Sequence, residues 1–194
     1  MYNSYVMYIR RGVKHMDYDK LIIETSKGDL TSLEKLYIDL RTVVFVLALS
    51  ILRSKTLAED VLQDTFVRVK IASSSYKPGT NGRAWILTIA RNIAISIIRS
   101  SRYETYINQV ESLESHGIDH IQKSIDSLML KETLSKLDEQ ERQIVLLHAV
   151  KDLKHREIAE IIDIPLGIVL WKYRRAIKKM SKYLEMECVG NKVV

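Results

Sequence analysis

Six cationic side chains near the C-terminus are the clearest candidates for chemistry in this sequence. They are Lys172, Arg174, Arg175, Lys178, Lys179 and Lys182. No acidic residue occurs between Ile168 and Leu184. Guanidinium and ammonium groups bind DNA phosphates and the edges of bases, so this segment is predicted to bind nucleic acid.

The residues before this cluster predict the frame that would position it. Residues 154–163 (KHREIAEIID) have the apolar spacing of a short helix. Pro165 ends that helix, because the residue before a proline is pushed out of the α region, and it favours the first turn of a new one. A short helix, a tight break and a longer basic helix are typical of a helix-turn-helix, which places its second helix in the DNA major groove. An ordinary helical hairpin with a solvated basic face is the alternative.

Other reactive side chains do not form a convincing catalytic or metal site. His116, Asp119 and His120 could share one helix face and bind a metal, but no further ligands follow at a suitable spacing. Cys188 has no nearby histidine to activate it as a nucleophile. The motifs of phosphate-binding loops and of hydrolase nucleophiles do not occur. We therefore predict no catalytic residue, no metal, no cofactor and no enzymatic activity.

Three helices are predicted in the N-terminal half of the chain. The first follows an N-cap at Asp29, the second begins with a capping box of Thr56 and Glu59, and the third begins near Arg83. Turn-forming residues 73–82 (SSSYKPGTNG) predict a loop before the third helix. Apolar residues recur at helical spacing, which predicts one buried stripe on each helix.

Composition supports an all-α fold, since the 194 residues include only 7 glycines and 2 prolines. We predict two small helical domains joined by a flexible linker, with the helix-turn-helix in the C-terminal domain. The predicted segments are an N-terminal extension (1–16), a first domain (17–103), an acidic linker (104–127), a second domain (128–187) and a tail (188–194).

Charge and hydropathy restrict the partners and the location. The net charge of +6 divides into +7 for residues 1–103, −4 for the linker and +2 for the second domain. Such basic segments suggest a polyanionic partner. Residues 43–52 (VVFVLALSIL) are about half as long as the ~20 residues of a membrane span. The N-terminus lacks the order of a signal peptide, so we expect a cytoplasmic protein with no direct membrane insertion.

Three motifs in chain order carry a family resemblance. They are residues 58–69 (AEDVLQDTFVRV), residues 83–99 (RAWILTIARNIAISIIR) and residues 137–180, which contain the helix-turn-helix. Together they resemble an extracytoplasmic-function (ECF) sigma factor of the sigma-70 family. The resemblance implies a protein that binds core RNA polymerase, directs it to specific promoters and assists promoter opening in transcription initiation. It also implies an anti-sigma factor as a partner, which in this family is often membrane-bound.

The same resemblance implies three groups of site residues. The residues that match the polymerase-docking motif are Asp60, Gln63, Asp64 and Phe66. Those that match the minus-ten DNA contacts are Arg68, Tyr76, Arg91, Asn92, Ser96 and Arg99. Those that match the minus-thirty-five DNA contacts are Ile168, Trp171, Lys172, Arg174, Arg175 and Lys179. Ser96 stands where many members have Asp, Ile168 replaces a common Thr, and Trp171 replaces a polar or basic residue, so the promoter sequence is not predicted.

Two other functions are compatible with parts of this pattern. One is a free-standing helix-turn-helix regulator, which would have no need of a polymerase-docking face. The other is a basic amphipathic protein that binds anionic membranes, which would have no need of the turn at Pro165.

Overall fold

The computed structural model describes residues 16–100 and 133–190, with side chains described as far as Tyr183. Within these ranges the regular elements are helices, which confirms the all-α class. The predicted linker, the pair His116 and His120, and nearly all of the N-terminal extension lie outside the described residues.

In the N-terminal half the structure describes four helices and one short 3₁₀ turn. They are α1 (Tyr18–Ser26), α2 (Leu30–Leu52), α3 (Lys55–Ala72), the 3₁₀ turn (Ser73–Ser75) and α4 (Gly82–Arg99). Asp29 caps α2 as predicted, since its carboxylate accepts the Thr31 backbone N–H at 2.9 Å. The capping box predicted at Thr56 and Glu59 is wrong. Ser54, two residues earlier, caps α3 by accepting the Leu57 N–H at 3.4 Å.

The described part of the C-terminal half includes α5 (Glu139–Lys151), α6 (His155–Ile162) and α7 (Leu166–Gly190). Asp138 and Glu141 form a complete capping box at the start of α5. Asp163 lies between α6 and α7 with a left-handed backbone (φ 55°), which aspartate tolerates better than most residues. The predicted helix-turn-helix is therefore confirmed.

Helix α2 lies at the centre of the molecule. Helices α1, α3 and α4 of the N-terminal half pack against it, and so does α5 of the C-terminal half. Residues 43–48 are consequently buried all round the helix, so the prediction of a single buried stripe is wrong for α2. None of the described helices has both the length and the hydropathy of a membrane span.

The two halves meet along two helix pairs, α2 with α5 and α4 with α6. One buried cluster runs across the junction and contains Leu47 and Leu87 from the N-terminal half with Leu147 and Ile158 from the C-terminal half. The chain thus forms a closed arrangement in which each half covers apolar surface of the other.

Candidate nucleic-acid interface

The outer face of α3 carries the predicted polymerase-docking side chains Asp60, Gln63 and Asp64. All three are exposed, while the opposite face of the helix is buried in the core. Partial burial and then the charges of Asp64 and Glu59 raise the pKa of Asp60. A carboxylate whose pKa is raised by neighbouring negative charges is stabilised by a cationic partner, so this face is suited to a basic surface.

Phe66 lies behind this face rather than on it. Its side chain is only 7% exposed, and its ring meets that of Tyr37 edge-on at 5.1 Å. Phe66 therefore holds α3 against α2, and its role in docking stays a prediction. Val67 and Ile71 were not predicted from the sequence; they are exposed on α3 and extend the acidic face with apolar surface. Their spacing could have predicted this surface, because two apolar residues four positions apart lie on one helix face and these two fall outside the buried stripe.

Helix α4 presents a polar line of predicted minus-ten residues. Asn92, Ser96 and Arg99 are exposed along it, and Arg68 is exposed on the neighbouring α3. Arg91 is half-buried, and its Nε lies out of solvent without a hydrogen-bond partner. An amide and guanidinium groups on adjacent helices can contact bases and phosphates together.

Tyr76, a predicted minus-ten residue, is an anchor of the loop before α4. Its ring is 7% exposed and packs at 5.0 Å from Trp85, and its hydroxyl donates to Asp19 at 2.5 Å. Burial and this hydrogen bond raise the pKa of Tyr76 to about 12. Asp19 also accepts the backbone N–H groups of Gly79 and Gly82. Asp19 was not predicted from the sequence, and contact of Tyr76 with a base stays a prediction that requires this loop to move.

The start of α7 exposes an apolar surface among the predicted minus-thirty-five residues. Trp171 is 54% exposed, Ile168 is also exposed, and Arg174 is an exposed cation beside them. The Arg175 guanidinium lies 5.2 Å from the centre of the Trp171 ring, a cation–π distance that holds the indole in place. The helix-turn-helix therefore presents both an aromatic ring and cations.

Three of the predicted minus-thirty-five cations pair with carboxylates at the start of α5. Lys172 Nζ lies 3.2 Å from Asp138, while Lys179 Nζ and Arg175 Nε lie 2.6 and 3.2 Å from Glu141. The Glu141 side chain is fully buried. Partial burial alone would raise the pKa of Asp138, but the Glu141 backbone N–H and Lys172 lower it below its usual value. These cations therefore support the packing of α7 on α5 within the C-terminal half.

Family comparisons match both halves of the chain. Residues 36–103 match the family model of sigma-70 region 2, and residues 127–180 match that of sigma-70 region 4. The RNA polymerase sigma factor YlaC of Bacillus subtilis is 30% identical over 131 residues, covering 64% of this chain and 76% of YlaC.

The chain belongs to the ECF group of the sigma-70 family. The ECF sigma factor BldN of Streptomyces coelicolor is 24% identical over 85% of this chain, although the match covers only 65% of BldN. The ECF sigma factor SigW of Bacillus subtilis is 25% identical over 85% of this chain and 95% of SigW. As a sigma factor, the protein acts in transcription initiation, and this membership decides against the free-standing regulator and the membrane-binding protein.

Solved structures agree with the sigma-factor fold. CnrH, in complex with the cytosolic domain of CnrY, superposes with a TM-score of 0.64 at 22% identity and covers 88% of this chain and 99% of its own. The sigma factor RpoE of Bartonella quintana, in complex with the anti-sigma factor NepR, gives a TM-score of 0.63 at 23% identity, with 78% and 96% covered. At these identities the likeness concerns the fold.

Proposed function

We propose that this sigma factor brings core RNA polymerase to promoters through three separate surfaces. The observation that carries the proposal is the exposed Asp60–Gln63–Asp64 face of α3, next to the polar line of α4. A regulator that binds DNA alone has no use for an acidic face beside its DNA-binding helix. We assign residues 17–103 to region 2, residues 104–127 to the linker and residues 128–187 to region 4.

The polar line of α4 is assigned to the minus-ten element. Asn92 is the residue proposed to read an unstacked base, because an amide can both donate to and accept from a base edge. Arg99 and Arg68 would hold the phosphates on either side, which makes this contribution sensitive to salt.

The start of α7 is assigned to the minus-thirty-five element. Ile168 and Trp171 are exposed where a recognition helix enters the major groove, and apolar side chains there contact the methyl group of thymine. Arg174 is placed to bind a phosphate beside them. This apolar character suggests that the minus-thirty-five element includes thymine.

We also infer an anti-sigma factor as a protein partner. The RpoE structure contains the anti-sigma factor NepR, and the CnrH structure contains the cytosolic domain of a second protein, CnrY. The polymerase would perform the catalysis, and the sigma factor itself would supply no catalytic residue. Because its partners are polymerase and promoter DNA, the proposed location is the cytoplasm.

Reconstituted transcription tests the proposed function. Purified protein added to core polymerase should give transcripts that begin at discrete sites on genomic templates, and core polymerase alone should not. Asp64→Lys should weaken association with the polymerase, because it reverses the charge of the docking face without touching the core. Glu160→Lys reverses an exposed charge on α6 and serves as the matched control. Absence of specific transcripts on every template would refute the proposal.

A further inference from the structure

Arg142, in the first turn of α5, is a buried cation. The residue is only 7% exposed, and its Nε lies out of solvent without a hydrogen-bond partner. The ion pairs formed among the described residues do not include Arg142. A buried charge without an opposite charge beside it is costly, because water no longer solvates it. The position of Arg142 therefore calls for an anion.

A second arginine adds a charge of the same sign at this place. Arg53 directly follows α2, the helix against which α5 packs, and its side chain is exposed. Its backbone is left-handed (φ 54°), and its N–H closes the end of α2 by donating to the Leu49 carbonyl at 2.9 Å. Burial and then the charge of Arg53 lower the pKa of Arg142. The end of α2 thus holds a second guanidinium within electrostatic reach of the first.

The acidic residues whose charges act on Arg142 are bonded elsewhere. Glu139 and Asp138 oppose the lowering of its pKa, but less than burial and Arg53 promote it. The Glu139 carboxylate is exposed and accepts a hydrogen bond from within α5 at 2.9 Å. Asp138 accepts the Glu141 backbone N–H at 2.8 Å and the Lys172 ammonium at 3.2 Å. Neither carboxylate neutralises Arg142 by direct contact.

We propose that Arg142 and Arg53 bind a small oxyanion of the phosphate class at the boundary of α2 and α5. The planar fork of N–H donors on a guanidinium matches the oxygens of a phosphate, and an anion between two such groups would relieve their repulsion. Because Arg142 is only 7% exposed, a small ion can reach it more readily than a phosphate within a DNA duplex. The ligand would be free inorganic phosphate or the terminal phosphate of a nucleotide.

The Nε–H resonance of Arg142 tests this site directly in the ¹⁵N-labelled full-length protein. Sodium phosphate should shift that resonance in a saturable way, because an anion on the guanidinium changes the environment of its unpartnered donor. Sodium chloride at the same ionic strength should not. Arg83 Nε already donates to Glu157 at 3.2 Å, so its resonance is the internal control. An Arg142 resonance that moves no further in phosphate than in chloride would overturn the proposal.

Arg53→Gln tests the second guanidinium without disturbing the core, since Arg53 is exposed. The variant should bind phosphate about 10- to 100-fold more weakly, which corresponds to the loss of one hydrogen bond to a charged group. Arg41→Gln is the matched control, because Arg41 is an exposed cation of α2 itself. Arg142→Lys keeps the buried charge but loses the planar fork, and it should also weaken binding. If Arg142→Lys does not fold, Arg53→Gln decides.

Urea denaturation gives an independent measure of binding. A ligand that binds only the folded state raises the free energy of unfolding as its concentration exceeds the Kd. Phosphate also stabilises proteins in general, because it is excluded from their surface, and this effect should be equal in all variants. The urea midpoint should therefore rise more in the unmodified protein and in Arg41→Gln than in Arg53→Gln. Equal rises in all three proteins would indicate exclusion alone and would refute the site.

A nucleoside diphosphate distinguishes the two sources of the anion. Tighter binding than that of inorganic phosphate, lost in Arg53→Gln, would support the site and assign it to a nucleotide. Weaker binding, with phosphate still bound, would support the site and assign it to the free ion. The inference goes beyond the proposed function and uses none of its promoter assignments. All measurements are made without polymerase or DNA, so failure of the site would leave the transcription function standing, and the reverse also holds.

Discussion

Glu141 provides the sharpest test of how the minus-thirty-five helix is held. Its carboxylate is fully buried, accepts the Asp138 backbone N–H at 3.0 Å and pairs with Lys179 and Arg175 of α7. Glu141→Gln keeps the size of the side chain and an oxygen for the Asp138 N–H, so it removes the charge and little else. The change therefore isolates the electrostatic contact between α5 and α7.

The magnitude follows from the exposure of the two cations. A hydrogen bond to a charged group contributes about 1.5–3 kcal/mol to stability, but water recovers part of that loss when the partner is exposed. Arg175 and Lys179 are 46% and 33% exposed, so both can be solvated once Glu141 is neutral. We expect the free energy of unfolding to fall by about 1–3 kcal/mol.

Urea denaturation followed by circular dichroism measures this change. Glu139→Gln is the matched control, because Glu139 lies on the same helix but is exposed and accepts its hydrogen bond from Gln143 within α5. The freed cations should also steepen the salt dependence of DNA binding, by about 0.9 in log K per log salt for each new phosphate contact. Equal urea midpoints for the two variants, with equal salt slopes, would refute this account of α7.

Three further changes test other parts of the structure. Trp171→Ala should weaken binding to the preferred minus-thirty-five site by about 10- to 100-fold, as expected for loss of a base contact, while co-purification with polymerase stays constant. Tyr76→Phe should lower the free energy of unfolding by about 1–2 kcal/mol through loss of the bond to Asp19, and equal urea midpoints would contradict the anchor. Burial and the facing ring of His148 lower the pKa of His155, so the folded state binds the proton less readily than the unfolded state. Stability should therefore fall as the pH drops below about 6.5, and His155→Phe should flatten that dependence in urea unfolding at several pH values.

Local chemistry explains which elements could be predicted from the sequence. Asp29 and Asp138 cap their helices because a short acidic side chain reaches the first free N–H groups of the helix that follows. The left-handed Asp163 and the helix break at Pro165 are equally local. The error at Thr56 has the same origin, since Ser54 offers a competing hydroxyl two residues earlier and local rules do not rank the two.

The remaining features depend on residues that are distant in the chain. Arg83 and Glu157 are separated by 74 positions, and Lys151 and Asp39 by 112. The sequence predicts the cations of α7 as DNA contacts, and it does not show their pairing with α5 because their carboxylate partners precede them by more than 30 positions. The burial of α2 by several helices could have been predicted from its composition, because a helix that is apolar on all sides must pack against other elements on all sides.

The burial of α2 by both halves gives closure a temperature dependence. Separating the halves would transfer apolar side chains of α2 and α5 to water, which is a process with a positive change in heat capacity. Hydrophobic association of this kind weakens on cooling, since its driving force near 25 °C is almost entirely entropic. We therefore expect cold to loosen the packing between the two halves, so that the fraction of the protein in the closed arrangement depends on temperature.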